Sequence, residues 1–119
     1  MKFRDFSLIN KIRAKRWHHG AITNWSISDW LMAMAGEAGE ACNAGKKLRR
    51  IEEQIANISI EPERQLSNVE DAYDKIAEEL ADTVIYCDLV AARIGRSLED
   101  AIKAKFNKVS EQYGFPERL

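Results

Sequence analysis

Long stretches of 3.6-residue periodicity, interrupted by only two prolines in 119 residues, constrain this chain more than any other feature of it. No run alternates apolar and polar residues as a half-buried strand does, so the expected fold is all-α, a four-helix bundle-like protomer. The first helix, near residues 3 to 16, sets Phe6, Ile9 and Ile12 on one face, and residues 17 to 27 read as a loop carrying Gly20 and Asn24. Ser28 is placed to cap a second helix that runs to about residue 55. Gly36, Gly39 and Gly45 each weaken that helix by ~1 kcal/mol relative to alanine. Close helix packing is the default reason to keep them, and room for a ligand is the other. Residues 57 to 68, with Pro62, read as a connection. A third helix from about residue 71 to 94 carries Ile76, Leu80, Val84, Cys87 and Ala91 as a core stripe and ends near Gly95. Ser97-Leu98-Glu99-Asp100 reads as a capping box with Asp in place of Glu. Leu98, Ile102, Phe106, Val109 and Tyr113 then form the apolar face of a fourth helix, which Gly114 and Pro116 stop.

Two acidic pairs break the apolar stripes. Trp30, Ala33, Ala41, Ala44 and Leu48 fall within about 40 degrees of Glu37 on a helical wheel, and Ala72, Ile76, Thr83, Tyr86 and Val90 lie similarly around Glu79. Glu37 with Glu40, and Glu79 with Asp82, are therefore expected to face inward. Ionised carboxylates at a helix interface are costly unless a cation compensates them, and two i,i+3 pairs on separate helices can converge on a divalent metal. Each pair alone is a common pattern on solvated faces; their joint placement among small and apolar neighbours favours a metal site.

The composition narrows the partners. Eighteen basic residues against nineteen acidic ones leave a net charge of -1, which gives no electrostatic reason to expect nucleic acid as a partner. Cys42 and Cys87 have no CxxC or Cys/His spacing, so buried reduced thiols in a cytoplasmic setting are expected. The opening MKFRDFSLINKIR lacks an apolar signal core and no later segment approaches a bilayer span, so no membrane partner is expected. The length suits a single domain over residues 1–119, of a size that often gains stability by oligomerising.

Glu37-Ala-Gly-Glu40 followed by Lys46-Lys47, then Glu78-Glu79-Leu-Ala-Asp82 leading into Thr-Val-Ile-Tyr86, resembles the all-α nucleoside triphosphate pyrophosphohydrolases, MazG-like proteins in particular. The ending from Lys105-Phe-Asn107 to Tyr113 is similar to that family's closing helix, and the likeness covers roughly residues 25 to 116. The resemblance implies Mg²⁺-dependent cleavage of a nucleoside triphosphate, a deoxynucleotide by preference, to the monophosphate and pyrophosphate, for sanitation or balance of the nucleotide pool. It also implies a homodimer or homotetramer, Mn²⁺ as a substitute metal, and Glu37, Glu40, Glu79 and Asp82 as catalytic metal ligands. Mg²⁺ suits such a set, since it takes oxygen ligands from a few carboxylates together with substrate phosphates.

The remaining candidates concern the substrate. Lys47 projects within about 20 degrees of Glu40 and is a candidate phosphate contact, whereas Lys46, Arg49 and Arg50 read as a solvated face. Glu78 either orients a water as general base or faces solvent, and solvent is the simpler reading. By resemblance, Trp17 and His18 are candidates to cover a base, with core packing the equal alternative, and Lys105 and Asn107 are candidates near the triphosphate or sugar, with a rim position the simpler reading of Lys105. Trp25 and Trp30 are further stacking candidates, with core packing the alternative. Tyr86 projects with Glu79 and Asp82 toward the sugar or base, or else pairs its hydroxyl at a helix interface. Two rival classes are a noncatalytic helical partner protein and a di-iron carboxylate bundle; the latter usually needs Glu-x-x-His on two helices, which His18 and His19 do not supply.

Overall fold

A computed structural model describes residues 1–17, 20–57 and 62–119. The fold is all-α: α1 (Phe3–Trp17), a short 3-10 turn (Ile22–Asn24), α2 (Ile27–Asn57), α3 (Pro62–Arg93) and α4 (Leu98–Tyr113), with no strand among the described residues. None of these helices is long and apolar enough to cross a membrane.

Local chemistry sets the ends. The Ser97 hydroxyl accepts the Asp100 amide at 3.1 Å and starts α4. At the start of α2 the cap is Ser26 rather than Ser28: its hydroxyl accepts the Asp29 amide at 3.0 Å, and the Asp29 carboxylate accepts the Ser26 amide in return at 3.0 Å. A carboxylate three residues on makes this reciprocal pair available to Ser26, and it holds the Asp29 carboxyl below its usual range. The periodicity places the start of α3 near residue 71, but the helix reaches back to Pro62, where a fixed φ and a missing N–H suit the first helical position. Of the connection expected over residues 57 to 68, only 58–61 separate the two helices, and they lie outside the described residues. Gly95 and Gly114 take φ of +68° and +71°, left-handed values that let the backbone turn back on the last carbonyls of α3 and α4. The returning amides are Arg96 to Ala91 at 2.9 Å and Phe115 to Ser110 at 2.8 Å.

The chain divides into two compact units, one of Met1–Leu31 with Cys87–Leu119 and one of Met32–Tyr86. In the first, Trp30 is fully buried and donates its indole N–H to the Ile22 carbonyl at 2.8 Å, with the Trp25 ring tilted at 49° against it, 4.7 Å between centroids. Trp30 is thus a core residue and not a base platform. Asp88, 1% exposed, accepts hydrogen bonds from the Ser7 hydroxyl at 2.7 Å and the Asn10 amide at 3.0 Å, two donors that compensate a buried carboxyl.

In the second unit α2 and α3 run antiparallel. Glu37 of α2 meets Glu79 and Asp82 of α3, while Ala44, Lys47 and Ile51 further along α2 share a cavity with the earlier α3 residues Asn68, Asp71, Ala72 and Lys75. Ala44 and Ala72 are the buried pair between them. Leu80 and Val84, expected in the core stripe of α3, are instead exposed, as are Ile9 and Ile12 on α1 and Ile102, Phe106 and Tyr113 on α4. These apolar faces are only partly covered among the described residues. Cys42 is exposed, not buried, and Cys87 is half-buried with its thiol pushed up by desolvation. The helix glycines also depart from the packing expectation, since a Cβ at Gly36, Gly39 or Gly45 would meet nothing within 4 Å.

Candidate metal centre

Three of the four expected carboxylates come together. Glu37, Glu79 and Asp82 each offer an oxygen, and the three oxygens lie within 4.8 Å of one another. One turn of α3 brings Glu79 and Asp82 to the side facing α2, where Glu37 completes the trio. Glu79 is buried, Glu37 half-buried and Asp82 exposed, so the group runs from the helix interface outward to solvent. Glu40 stands outside the trio and is exposed. Its charge nevertheless reaches the site: the Glu37 carboxyl is raised by burial first, and then by the negative charges of Asp82, Glu79 and Glu40.

The donor set fits a hard divalent cation. All three donors are carboxylates, and burial together with the mutual repulsion that raises Glu37 is what a cation would relieve. Asp82 leaves one side of the trio open to solvent. Lys75 brings positive charge to the trio. Its ammonium sits 2.7 Å from Glu79 Oε1 and 3.4 Å from Glu78 Oε2, and these carboxylates hold the lysine above its ordinary value. Lys75 is the neighbour of the trio that helix-wheel reasoning from the carboxylates passes over; its signal is the i,i+4 spacing to Glu79. The Thr83 hydroxyl donates to the Glu79 carbonyl at 2.9 Å within the same turn.

The substrate candidates are distributed unevenly. Lys47 is exposed and lines the cavity beside Lys75, while Arg49 pairs with Glu53 at 3.0 Å on a solvated face as expected. Glu78 is exposed, its ion pair with Lys75 on the solvent side. Tyr86 is half-buried at the end of the second unit. Trp17, Lys105 and Asn107 belong to the first unit. There Trp17 is exposed with the Arg13 guanidinium 5.4 Å from its ring centroid, Lys105 is exposed, and Asn107 holds the C-terminus. Its amide oxygen accepts the Leu119 amide at 2.9 Å, and its amide nitrogen donates to the Leu119 carbonyl at 3.3 Å. His18 lies outside the described residues.

Residues 46–119 match the model of the MazG-like family. The chain belongs to that family. The match takes in Lys47, Lys75, Glu79, Asp82, Tyr86, Lys105 and Asn107, and begins after Glu37 and Glu40. No curated protein and no solved structure matches the chain. Membership in the MazG-like family points to nucleotide pyrophosphohydrolase chemistry and to a divalent metal, at the level of the family.

Proposed function

We propose that this MazG-like chain is a Mg²⁺-dependent nucleoside triphosphate pyrophosphohydrolase that releases the monophosphate and pyrophosphate, acting by preference on a deoxynucleotide. The observation that carries the reading is the convergence of Glu37 from α2 with Glu79 and Asp82 from α3. Those three would hold the ion, with Glu40 supplying further negative charge at the rim. A bound divalent ion neutralises the triphosphate and acidifies an attacking water. The protein's own part is positioning. Burial fixes Glu79 from within the helix pair, the exposed Asp82 leaves one side open to phosphate oxygens, and Lys47, exposed on the neighbouring cavity, would meet the polyphosphate. Glu78 faces solvent one residue from Glu79, close enough to the site's edge to be tested as a water-orienting base. We further propose a cytoplasmic homodimer or homotetramer whose partner is the nucleotide, with neither nucleic acid nor membrane involved.

The test is a pyrophosphate-release screen over the common ribo- and deoxyribonucleoside triphosphates with Mg²⁺, repeated with Asp82→Asn and Glu37→Gln. Turnover in the wild type and its loss in both variants, with helicity unchanged by circular dichroism, is the expected result. Unaltered kcat in either variant removes the assignment of that carboxylate.

A further inference from the structure

Lys75 has two neighbours that make different demands on it. Its ammonium lies 2.7 Å from Glu79, the most buried carboxylate of the trio, and its side chain also lines the cavity shared with Lys47. We propose that Lys75 is an internal stand-in cation: it neutralises Glu79 while the centre is empty, and when a divalent ion binds it swings into the cavity to hold, with Lys47, the pyrophosphate end of the substrate. This rests on the reading above.

The argument is one of charge and space. A carboxylate whose side chain is 9% exposed needs a positive partner, and Lys75 supplies it from the preceding turn of the same helix. A divalent ion on Glu79 replaces that partner and repels it. The lysine is free to leave, because its side chain is 56% exposed and its charge rides on a flexible four-carbon stem. The cavity has a volume of about 290 Å³, at the lower edge of the roughly 300–1,000 Å³ that encloses a whole organic ligand, so it suits one end of a nucleotide rather than all of it. Ala44, Ile51 and Ala72 line it together with Lys47, Asn68, Asp71 and Lys75. Two lysines against the single carboxylate of Asp71 leave the lining with an excess positive charge. Phosphate oxygens are the ligand atoms that the two ammonium groups would take.

Calorimetric titration of the intact chain with Mn²⁺, and then with inorganic pyrophosphate in saturating Mn²⁺, tests this on the wild type, Lys75→Met and Lys47→Met. Lys75→Met is expected to bind Mn²⁺ roughly threefold tighter or better, since no resident ammonium has to be displaced. The same variant is expected to bind pyrophosphate roughly tenfold more weakly. Lys47→Met should weaken pyrophosphate alone. A merely structural lysine would lower both affinities together or neither. Equal or weaker Mn²⁺ binding by Lys75→Met overturns the proposal, and so does unchanged pyrophosphate binding. A wild type that takes up no Mn²⁺ sinks the proposed function and this inference with it, whereas wild-type binding with unaltered variants sinks this inference alone.

Discussion

Glu37 is the residue on which the site's electrostatics can be read without substrate. Burial and the charges of Asp82, Glu79 and Glu40 raise its carboxyl above the ordinary 4.5. The folded state therefore prefers the protonated form more than the unfolded chain does. Its contribution to stability is complete below the ordinary glutamate value and is lost as the pH climbs through the raised one. In EDTA, Glu37→Gln is expected to melt above the wild type at pH 7, with the gap closing as the pH falls below 4.5. Mg²⁺ should reverse the order, because the ion binds only a folded centre and the variant has lost a ligand. Melting curves at both pH values, with and without Mg²⁺, check this; a variant less stable than wild type in EDTA at pH 7 would contradict it. The sequence made Glu37, Glu79 and Asp82 legible because an acidic side chain on an apolar stripe has few other reasons to be there. It could not rank Glu40 with them. Residues i and i+3 lie about 60 degrees apart on a helix, so a pair either straddles the line to its neighbour, as Glu79 and Asp82 do, or turns one member aside, as Glu37 and Glu40 do.

At the scale of the elements, two kinds of glycine separate cleanly. Gly39 lies within α2, and a Cβ there would meet nothing within 4 Å, so Gly39→Ala should stabilise the fold by ~1 kcal/mol through helix propensity alone. Gly114 sits at φ +71°, where a Cβ crowds the backbone, so Gly114→Ala should destabilise by about 1 kcal/mol. Opposite shifts of the urea midpoint are the expected result, and two shifts of the same sign would show that one glycine has been misread. If Gly39→Ala also lowers turnover while raising stability, the open space beside Glu40 is space the ligand uses. Loss of the Ser97 cap by Ser97→Ala should cost about 1 kcal/mol in the same assay. Helix ends of this kind were legible because their chemistry is complete within a few residues. The start of α2 was not, since Ser26-Ile27-Ser28 offers two hydroxyls and only the carboxylate of Asp29 decides between them. Pro62 was read as part of a connection because proline breaks a helix anywhere but its first turn, and spacing alone does not say where that turn falls.

For the molecule as a whole, the informative residues are those whose apolar pattern has no internal answer. The stripes on α3 and α4 are regular in sequence, yet Leu80 and Val84 are 54% and 44% exposed and Ile102 and Phe106 are 45% and 43% exposed. Periodicity says that a face will be covered; it does not say by which chain. The regularity of these faces, set against six buried apolar residues among those described, four of them alanines, is the reason to expect a second copy over them. Sedimentation at micromolar concentration is expected to show a dimer or tetramer, and Phe106→Glu should weaken assembly at least tenfold, ~1.4 kcal/mol, with helicity retained. A wild type that sediments as a monomer would leave these faces without an explanation in self-association. The same variant distinguishes two arrangements of the chemistry. The trio and both cavity lysines lie within residues 32–86. If the second unit carries the whole site, Phe106→Glu binds Mn²⁺ and turns substrate over like the wild type. If a neighbouring copy supplies the groups that meet the base, Mn²⁺ binding survives in the variant, KM rises, and the specific activity of the wild type falls on dilution in step with the loss of the oligomer.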